Sequence, residues 1–372
     1  MPNLFLYGSL LHRPLLESVL CHGNVDWVEA EFTEHAVYWA DGQGFPMVCP
    51  EPGQTAHGRL LRNPSEEDVA RLNYFESDFG YDLTEVEVRA DGKPIKAKVY
   101  IPKPGLWQKG AKWKLSDWVA KLGDVNTLAA KELMEGFGRI PSPLAALKFP
   151  QMQQRAASRL RAETETAGGA GFTVADDVRV EDVSVAHSGF FRLEEHKLKF
   201  RRYDGSFSNT VGRTAFLGGD AVTVLPYDPV RDRVLLIEQF RVGPYARGDQ
   251  QPWGLEPVAG RIDAGEDAAS CALRELREEA GLESIALHSV ASYYPTPGAF
   301  SEYVYSFVAI ANLPDDAAKI GGVEDEAEDI LGKIFTFEDA LMLVESGKAN
   351  NSPLIISMQW LRVNRERLMS AA

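Results

Sequence analysis

The sequence predicts an α+β protein built as two domains. Three observations carry this. The chain has 372 residues, more than one ordinary core organises. Each half mixes short strand-like alternation with amphipathic helical stretches. Between the halves lies a proline-marked stretch of different texture. The boundaries fall at 1–140 for the first domain, 141–172 for a linker and 173–372 for the second domain.

In the first domain, "LFLYGSL" is a strand that runs into a Gly turn, and "KAKVYIP" alternates as a strand does. "DWVAKLGDVNTLAAKELMEGFG" reads as helix with an interruption at Gly123. From Pro141 the chain carries three prolines, a basic helical patch and a Thr/Ala/Gly run, which predicts a linker with one helix and a solvated arginine face. In the second domain "VRVEDVSV" alternates at period two. The segment around "PYDPVRD" reads as a hairpin, 260–282 as a helix, "SEYVYSFVAI" as a strand and "SPLIISMQWLRVNRERL" as a closing amphipathic helix.

Composition narrows the function classes. The chain is 45% hydrophobic and 25% charged, with a net charge of −15. That charge argues against nucleic-acid or anionic-membrane binding, and it requires local neutralisation if the substrate is an anion. Cys21, Cys49 and Cys271 form no CxxC pair, which fits a reducing compartment. The N-terminus lacks a basic stretch before its apolar run, and no apolar run reaches the ~20 residues that span a bilayer, so a cytoplasmic protein is expected.

The chemistry concentrates in "GRIDAGEDAASCALRELREEAGL", residues 260–282. On a helix from about Glu266 to Ala280, residues Ala269, Ala272, Leu273, Leu276 and Ala280 form one apolar stripe. Glu275 and Glu279 then lie beside that stripe with Glu278 next to them. By itself this reads as a solvated face with pairs such as Arg274–Glu278. Oxygen ligands gathered on one edge also suit a hard cation such as Mg²⁺, and Gly260 and Gly265 would let backbone approach it.

The same stretch resembles the Nudix box, matched here by Gly260, Glu266, Arg274, Glu275, Leu276, Glu278, Glu279, Gly281 and Leu282. The flanks "LPYDPVRDRVLLIEQFRVGPY", "PWGLEPVAG" and "YYPTPGAFSE" resemble the ADP-ribose pyrophosphatase branch, over roughly 185–370. The resemblance implies an α/β/α sandwich with a mixed sheet and Mg²⁺-dependent hydrolysis, with Mn²⁺ as the alternative ion. It implies metal ligands at Ala259 (through its carbonyl), Glu275, Glu279 and Glu328, a base at Glu326 with Glu278 nearby, and a carboxylate-orienting role for Arg274. It implies substrate contacts from Arg213, Arg241, Arg261, Pro297, Gly298 and Glu302. A homodimer is implied by analogy. A GDP-mannose-type substrate, or a site that binds a nucleotide sugar without turnover, remains open.

In the first domain "FLYGSLLHRPLLESVL" and "RLNYFESDFGYDLTEVEV" together resemble the gamma-glutamylcyclotransferase-like (AIG2-like) fold, a small β-barrel with helices, over about 3–105. The resemblance implies a pocket from Tyr7, Gly8, Ser9 and Leu10, with Glu76 as general acid/base acting on a gamma-glutamyl amine. Ser77 stands where that family has Gly. An interaction module that kept the pocket is the competing reading.

Overall fold

The computed structural model describes residues 2–76, 79–165, 171–321 and 329–371. The chain divides into two compact units, Met1–Thr164 and Glu165–Ala372.

The first unit runs β1 (Asn3–Leu6), α1 (Arg13–Leu20), β2 (Trp27–Ala40), β3 (Pro46–Leu61), α2 (Glu66–Glu76), β4 (Tyr81–Ala90), β5 (Lys93–Pro102) and β6 (Lys109–Lys112). Four helices follow: α3 (Leu115–Trp118), α4 (Asp124–Met134), α5 (Ser142–Ala146) and α6 (Phe149–Thr164). The strands run β3-β1-β5-β4-β2, and β2 pairs β3 in turn, so five strands close into a barrel that β6 extends. Alternate residues such as Phe5, Phe32, Val48, Leu60, Val88 and Val99 point inward and fill it. Closure is tight at Gly58, where a Cβ would meet the Leu6 carbonyl oxygen at 2.3 Å.

Two expectations change in this unit. Gly123 does not interrupt its helix: the turn Val119–Gly123 widens to a π-turn between α3 and α4 and the helical path continues. The space there is small, since a Cβ on Gly123 would lie 3.3 Å from Val119 Cγ1. The stretch 141–172 is not a linker with one solvated helix. It carries α5 and α6, and α6 packs on α4 through buried Phe149, Met152, Ala156 and Ala157. Arg155 on α6 is itself buried and donates to both carboxylate oxygens of Glu132 at 2.6 and 3.1 Å. That pairing is what admits a basic residue to the packed face.

The second unit begins with α7 (Val174–Asp177), β7 (Val178–Ser188), β8 (Arg192–Phe200) and β9 (Val211–Leu217). It continues with β10 (Ala221–Asp228), β11 (Arg233–Phe240), α8 (Val242–Arg247), β12 (Trp253–Glu256), β13 (Val258–Arg261), α9 (Ala268–Ala280), β14 (Ala286–Tyr293) and β15 (Val304–Ile310). It ends with β16 (Ile320–Gly321), β17 (Ile330–Thr336), α10 (Phe337–Glu345) and α11 (Ser352–Ser370). The main sheet has the order β14-β15-β10-β11-β17-β16, with β12 on β11 and β13 on β10. Among the described residues only β10 and β15 pair in parallel within it, so the sheet is mixed. Val222 and Val224 of β10 face a core with Cys271, Ala272 and Leu276 of α9. Leu225 and Tyr227 face the opposite core with Leu354, Met358 and Leu361 of α11. The alternation of one strand therefore makes the two layers of a sandwich.

The hairpin at "PYDPVRD" forms where Tyr227 pairs Val234 and Asp228 pairs Arg233. Asp228 is buried, and its carboxylate accepts from the backbone N–H groups of Val230, Arg231 and Leu313. Strands β7, β8 and β9 form a separate three-stranded sheet, and β7 is exposed along nearly its whole length. Among the described residues no helix is long and apolar enough to cross a membrane.

Candidate active site

Helix α9 is fixed at both ends by its own sequence. The Asp267 carboxylate caps it by accepting from the N–H groups of Ala269 and Ser270 at 3.0 and 2.9 Å. Gly281 closes it in the left-handed conformation, at φ 63°. The buried face comprises Cys271, Ala272, Glu275, Leu276 and Glu279. This corrects the expected stripe. Ala269 is exposed, and the two carboxylates lie within the buried face rather than beside it.

Strand β13 makes that burial possible. A Cβ on Gly260 would stand 1.9 Å from the Glu275 carboxyl carbon, so only glycine leaves room for the carboxylate. The Ala259 N–H donates to Glu279 Oε2 at 3.0 Å. Arg274 is the hub of the charges. It donates to Glu275 Oε1 at 2.7 Å, Glu278 Oε2 at 2.8 Å, both oxygens of Glu266 at 3.1 and 3.0 Å, and the Arg261 carbonyl at 3.1 Å. Burial opposes its charge, but the hydrogen bonds to Glu266 and the charge of Glu275 hold the guanidinium pKa above its usual value. Without this cation, two carboxylates one turn apart would repel in a poorly solvated place.

Glu275 and Glu279 offer an oxygen-only donor pair one helical turn apart, against a backbone that glycine keeps close. This fits part of the coordination of a hard divalent cation, which takes a few carboxylates and retains waters. Among the described residues no group of three or more His, Cys, Asp or Glu side chains is arranged to hold a metal. Glu326 and Glu328 lie outside the described residues.

Arg261 and Glu302 meet: Arg261 Nη2 donates to Glu302 Oε2 at 3.0 Å and Nη1 to the Gly219 carbonyl at 2.6 Å. Phe190 and Phe191, at the turn between β7 and β8, cover this guanidinium, with each ring centroid 5.5 Å away. Arg241 is engaged by Glu256, with Nε donating at 2.7 Å. Burial raises the Glu256 carboxyl pKa, and Arg241 pulls it partly back. Arg213, on β9, is exposed and donates to the adjacent Gly212 carbonyl. Pro297 and Gly298 occupy an exposed turn. Sequence reasoning missed Phe190, Phe191 and Glu256. The aromatic doublet in "HSGFF" at a turn was the available signal for the first two; nothing local marks Glu256.

In the first unit Tyr7 lies close enough to Glu76 to feel its charge, as do Tyr81 and Tyr100. Gly8 has φ +70°, and a Cβ there would meet Pro46 Cγ at 2.3 Å, so conformation and space both demand glycine. The Ser9 carbonyl accepts from the His12 N–H at 2.9 Å, and Leu10 is buried. Tyr7 is buried, and its hydroxyl donates to the Tyr100 carbonyl at 2.8 Å. The Tyr81 hydroxyl donates to the Pro46 carbonyl at 2.7 Å, and that of Tyr100 to Asn73 Oδ1 at 2.8 Å. Burial pushes the Glu76 carboxyl up to about 7. Burial first, and then the charge of Glu76 together with neighbouring groups, raises all three tyrosines, which stay neutral donors. Tyr100 was read only as part of a strand. Ser77 lies outside the described residues.

Comparison with known proteins accounts for both halves. The NUDIX domain family model matches residues 218–356, and the model of gamma-glutamyl cyclotransferase, AIG2-like proteins matches residues 4–120. An ADP-ribose pyrophosphatase of Escherichia coli K12 is 38% identical over 193 residues, covering 52% of this chain and 91% of that protein. An ADP-ribose pyrophosphatase of Haemophilus influenzae is 32% identical over 197 residues, covering 52% and 90%. A GDP-mannose pyrophosphatase of Yersinia pestis is 27% identical over 189 residues, covering 50% and 93%. The chain belongs to the Nudix hydrolases and carries an N-terminal gamma-glutamyl cyclotransferase, AIG2-like domain.

Proposed function

We propose that the second unit hydrolyses nucleoside diphosphate sugars, ADP-ribose foremost, to AMP and ribose 5-phosphate, with Mg²⁺ as cofactor and Mn²⁺ able to replace it. The observation that carries this is the buried Glu275/Glu279 pair against Gly260, in a chain whose relatives include ADP-ribose pyrophosphatases. Glu275 and Glu279 would hold the ion, joined by the Ala259 carbonyl and by Glu328. A divalent ion there would supply charge neutralisation for the pyrophosphate and acidify water. The remaining steps fall to this chain. Glu326 takes the proton as water attacks phosphorus, with Glu278 held close by Arg274. The bridging P–O bond breaks, and its electron pair leaves on the departing phosphate. Arg241 and Arg213 would bind phosphate oxygens as planar forks. Glu302 would accept from a ribose hydroxyl, beside the turn of Pro297 and Gly298. Arg274 stays off the substrate, because its donors are committed to three carboxylates and a carbonyl.

The test is a product assay with ADP-ribose and, in parallel, GDP-mannose. AMP should form with Mg²⁺, stop with EDTA, and fall by orders of magnitude in Glu279→Gln. AMP formation that survives in Glu279→Gln overturns the assignment; GMP from GDP-mannose alone keeps the chemistry and moves the substrate. A homodimer is part of this reading, supported by the open faces of β7 with Val180, Val183 and Val185 exposed. Sedimentation at the 41.1 kDa of one chain would remove it.

For the first unit we infer a gamma-glutamyl amine site. Glu76, ionising near neutrality, removes a proton from the substrate's α-amine. The amine attacks the gamma carbonyl, the amide C–N bond breaks, and the departing amine takes the proton as 5-oxoproline forms. Glu76→Gln should abolish 5-oxoproline release. If no gamma-glutamyl amine reacts or binds, the unit is an interaction module.

A further inference from the structure

Arg261 connects elements that are distant in sequence. Its carbonyl accepts from Arg274 Nη2 at 3.1 Å and from Cys271 Sγ at 3.3 Å, which ties β13 to α9. Its side chain reaches Glu302, in the loop that precedes β15, and the Gly219 carbonyl before β10. The residue before it is the glycine that abuts Glu275. The pair is sheltered: the Arg261 and Glu302 side chains are 21% and 18% exposed, and two phenylalanine rings lie over the guanidinium. Such shelter reduces screening by solvent and salt, so the pair is worth more than an open surface pair. Lysine could supply the charge but not two directed donors held in one plane.

We propose that Arg261 is a positioning residue for the nucleotide sugar: it fixes the Glu302 carboxylate in place relative to the α9 carboxylates, where it can receive a sugar hydroxyl. This rests on the hydrolase reading above, in which Glu302 meets the substrate. Arg261 itself binds no substrate group while engaged by Gly219 and Glu302.

The experiment measures kcat and KM for ADP-ribose hydrolysis by the full chain, for Arg261→Met, Arg261→Lys, Glu302→Gln and the double variant Arg261→Met/Glu302→Gln. Arg261→Met should raise KM about tenfold, the effect of one charge-assisted hydrogen bond, with kcat within about twofold. Arg261→Lys should recover part of that loss. The double variant should be no worse than Glu302→Gln, because Arg261 acts through Glu302. Wild-type KM in Arg261→Met, or losses that multiply in the double variant, would overturn the inference alone. A wild-type chain that turns over and binds neither ADP-ribose nor GDP-mannose would overturn the hydrolase reading and this inference with it.

Discussion

Gly260 lies on a strand with no left-handed backbone, so its requirement is one of space. The Glu275 carboxylate occupies the volume a side chain would take. The carboxylate has little freedom to retreat, since it is 9% exposed and bonded to Arg274. Gly260→Ala should therefore move Glu275 by an ångström or more while leaving β13 paired to β10. Displacement on that scale costs about a hundredfold in rate at a catalytic site. The expected result is a comparable fall in AMP formation, with the circular dichroism spectrum of the parent. Parent-like turnover would mean that the Glu275 position does not matter to the chemistry.

Helix α9 shows how far an element can be read before its packing is known. Asp267 as cap and Gly281 as terminator follow local rules, and the glutamates recur at helical spacing whatever lies opposite. Which side is buried does not follow locally. Apolar periodicity assigned the core face to Ala269, Ala272, Leu273, Leu276 and Ala280; the structure buries Ala272 and Leu276 as expected, leaves Ala269 exposed, and adds Glu275 and Glu279, because β13 brings a glycine and the Ala259 N–H to meet them. The same limit explains α6, whose Arg155 looks solvated until Glu132 is found beside it. It also explains the Arg261–Glu302 pair, whose partners are 41 residues apart. Barrel and sandwich were legible through the two motifs; of the separate sheet β7–β8–β9, only β7 was legible as a strand. The cap supplies a quantitative check. Asp267→Ala removes acceptors for two N–H groups and should cost about 1 kcal/mol, read as a lower melting temperature of the second unit. Backbone and side-chain hydrogen bonds from Ser270 hold the Asp267 carboxyl below its usual pKa, so the cap's contribution is present above the ordinary carboxylate range and fades as pH falls through the lowered value. Parent and variant should therefore converge in acid. An unchanged melting temperature at neutral pH would show that the cap is not what holds this end of the helix.

At the scale of the whole chain, the two units differ in the sign of their pH response. The first holds the Glu76 carboxyl away from water, which raises it from its usual 4.5 to about 7. The folded unit thus holds a proton that the unfolded chain releases. Stability from this source is complete below the unfolded value, declines as pH rises toward about 7, and then levels off. The second unit buries Asp228, where burial raises the carboxyl pKa but hydrogen bonds from Leu313 and Arg231 outweigh it, leaving the group below its usual value. Its contribution is lost only in acid. Calorimetry of the intact chain between pH 5 and 8 should then show two transitions with different slopes. The first should fall by roughly 5–10 °C, the size that a carboxyl raised from 4.5 to about 7 implies over this pH range for a unit of this length. Glu76→Gln, which stays neutral throughout, should flatten it. The second transition should hold steady across that range and rise when Mg²⁺ is added, because a ligand of the native state stabilises only the unit that binds it. One transition shifting as a whole, or a first transition that keeps its slope in Glu76→Gln, would show that the Glu76 proton does not set the pH response of an independently melting first unit.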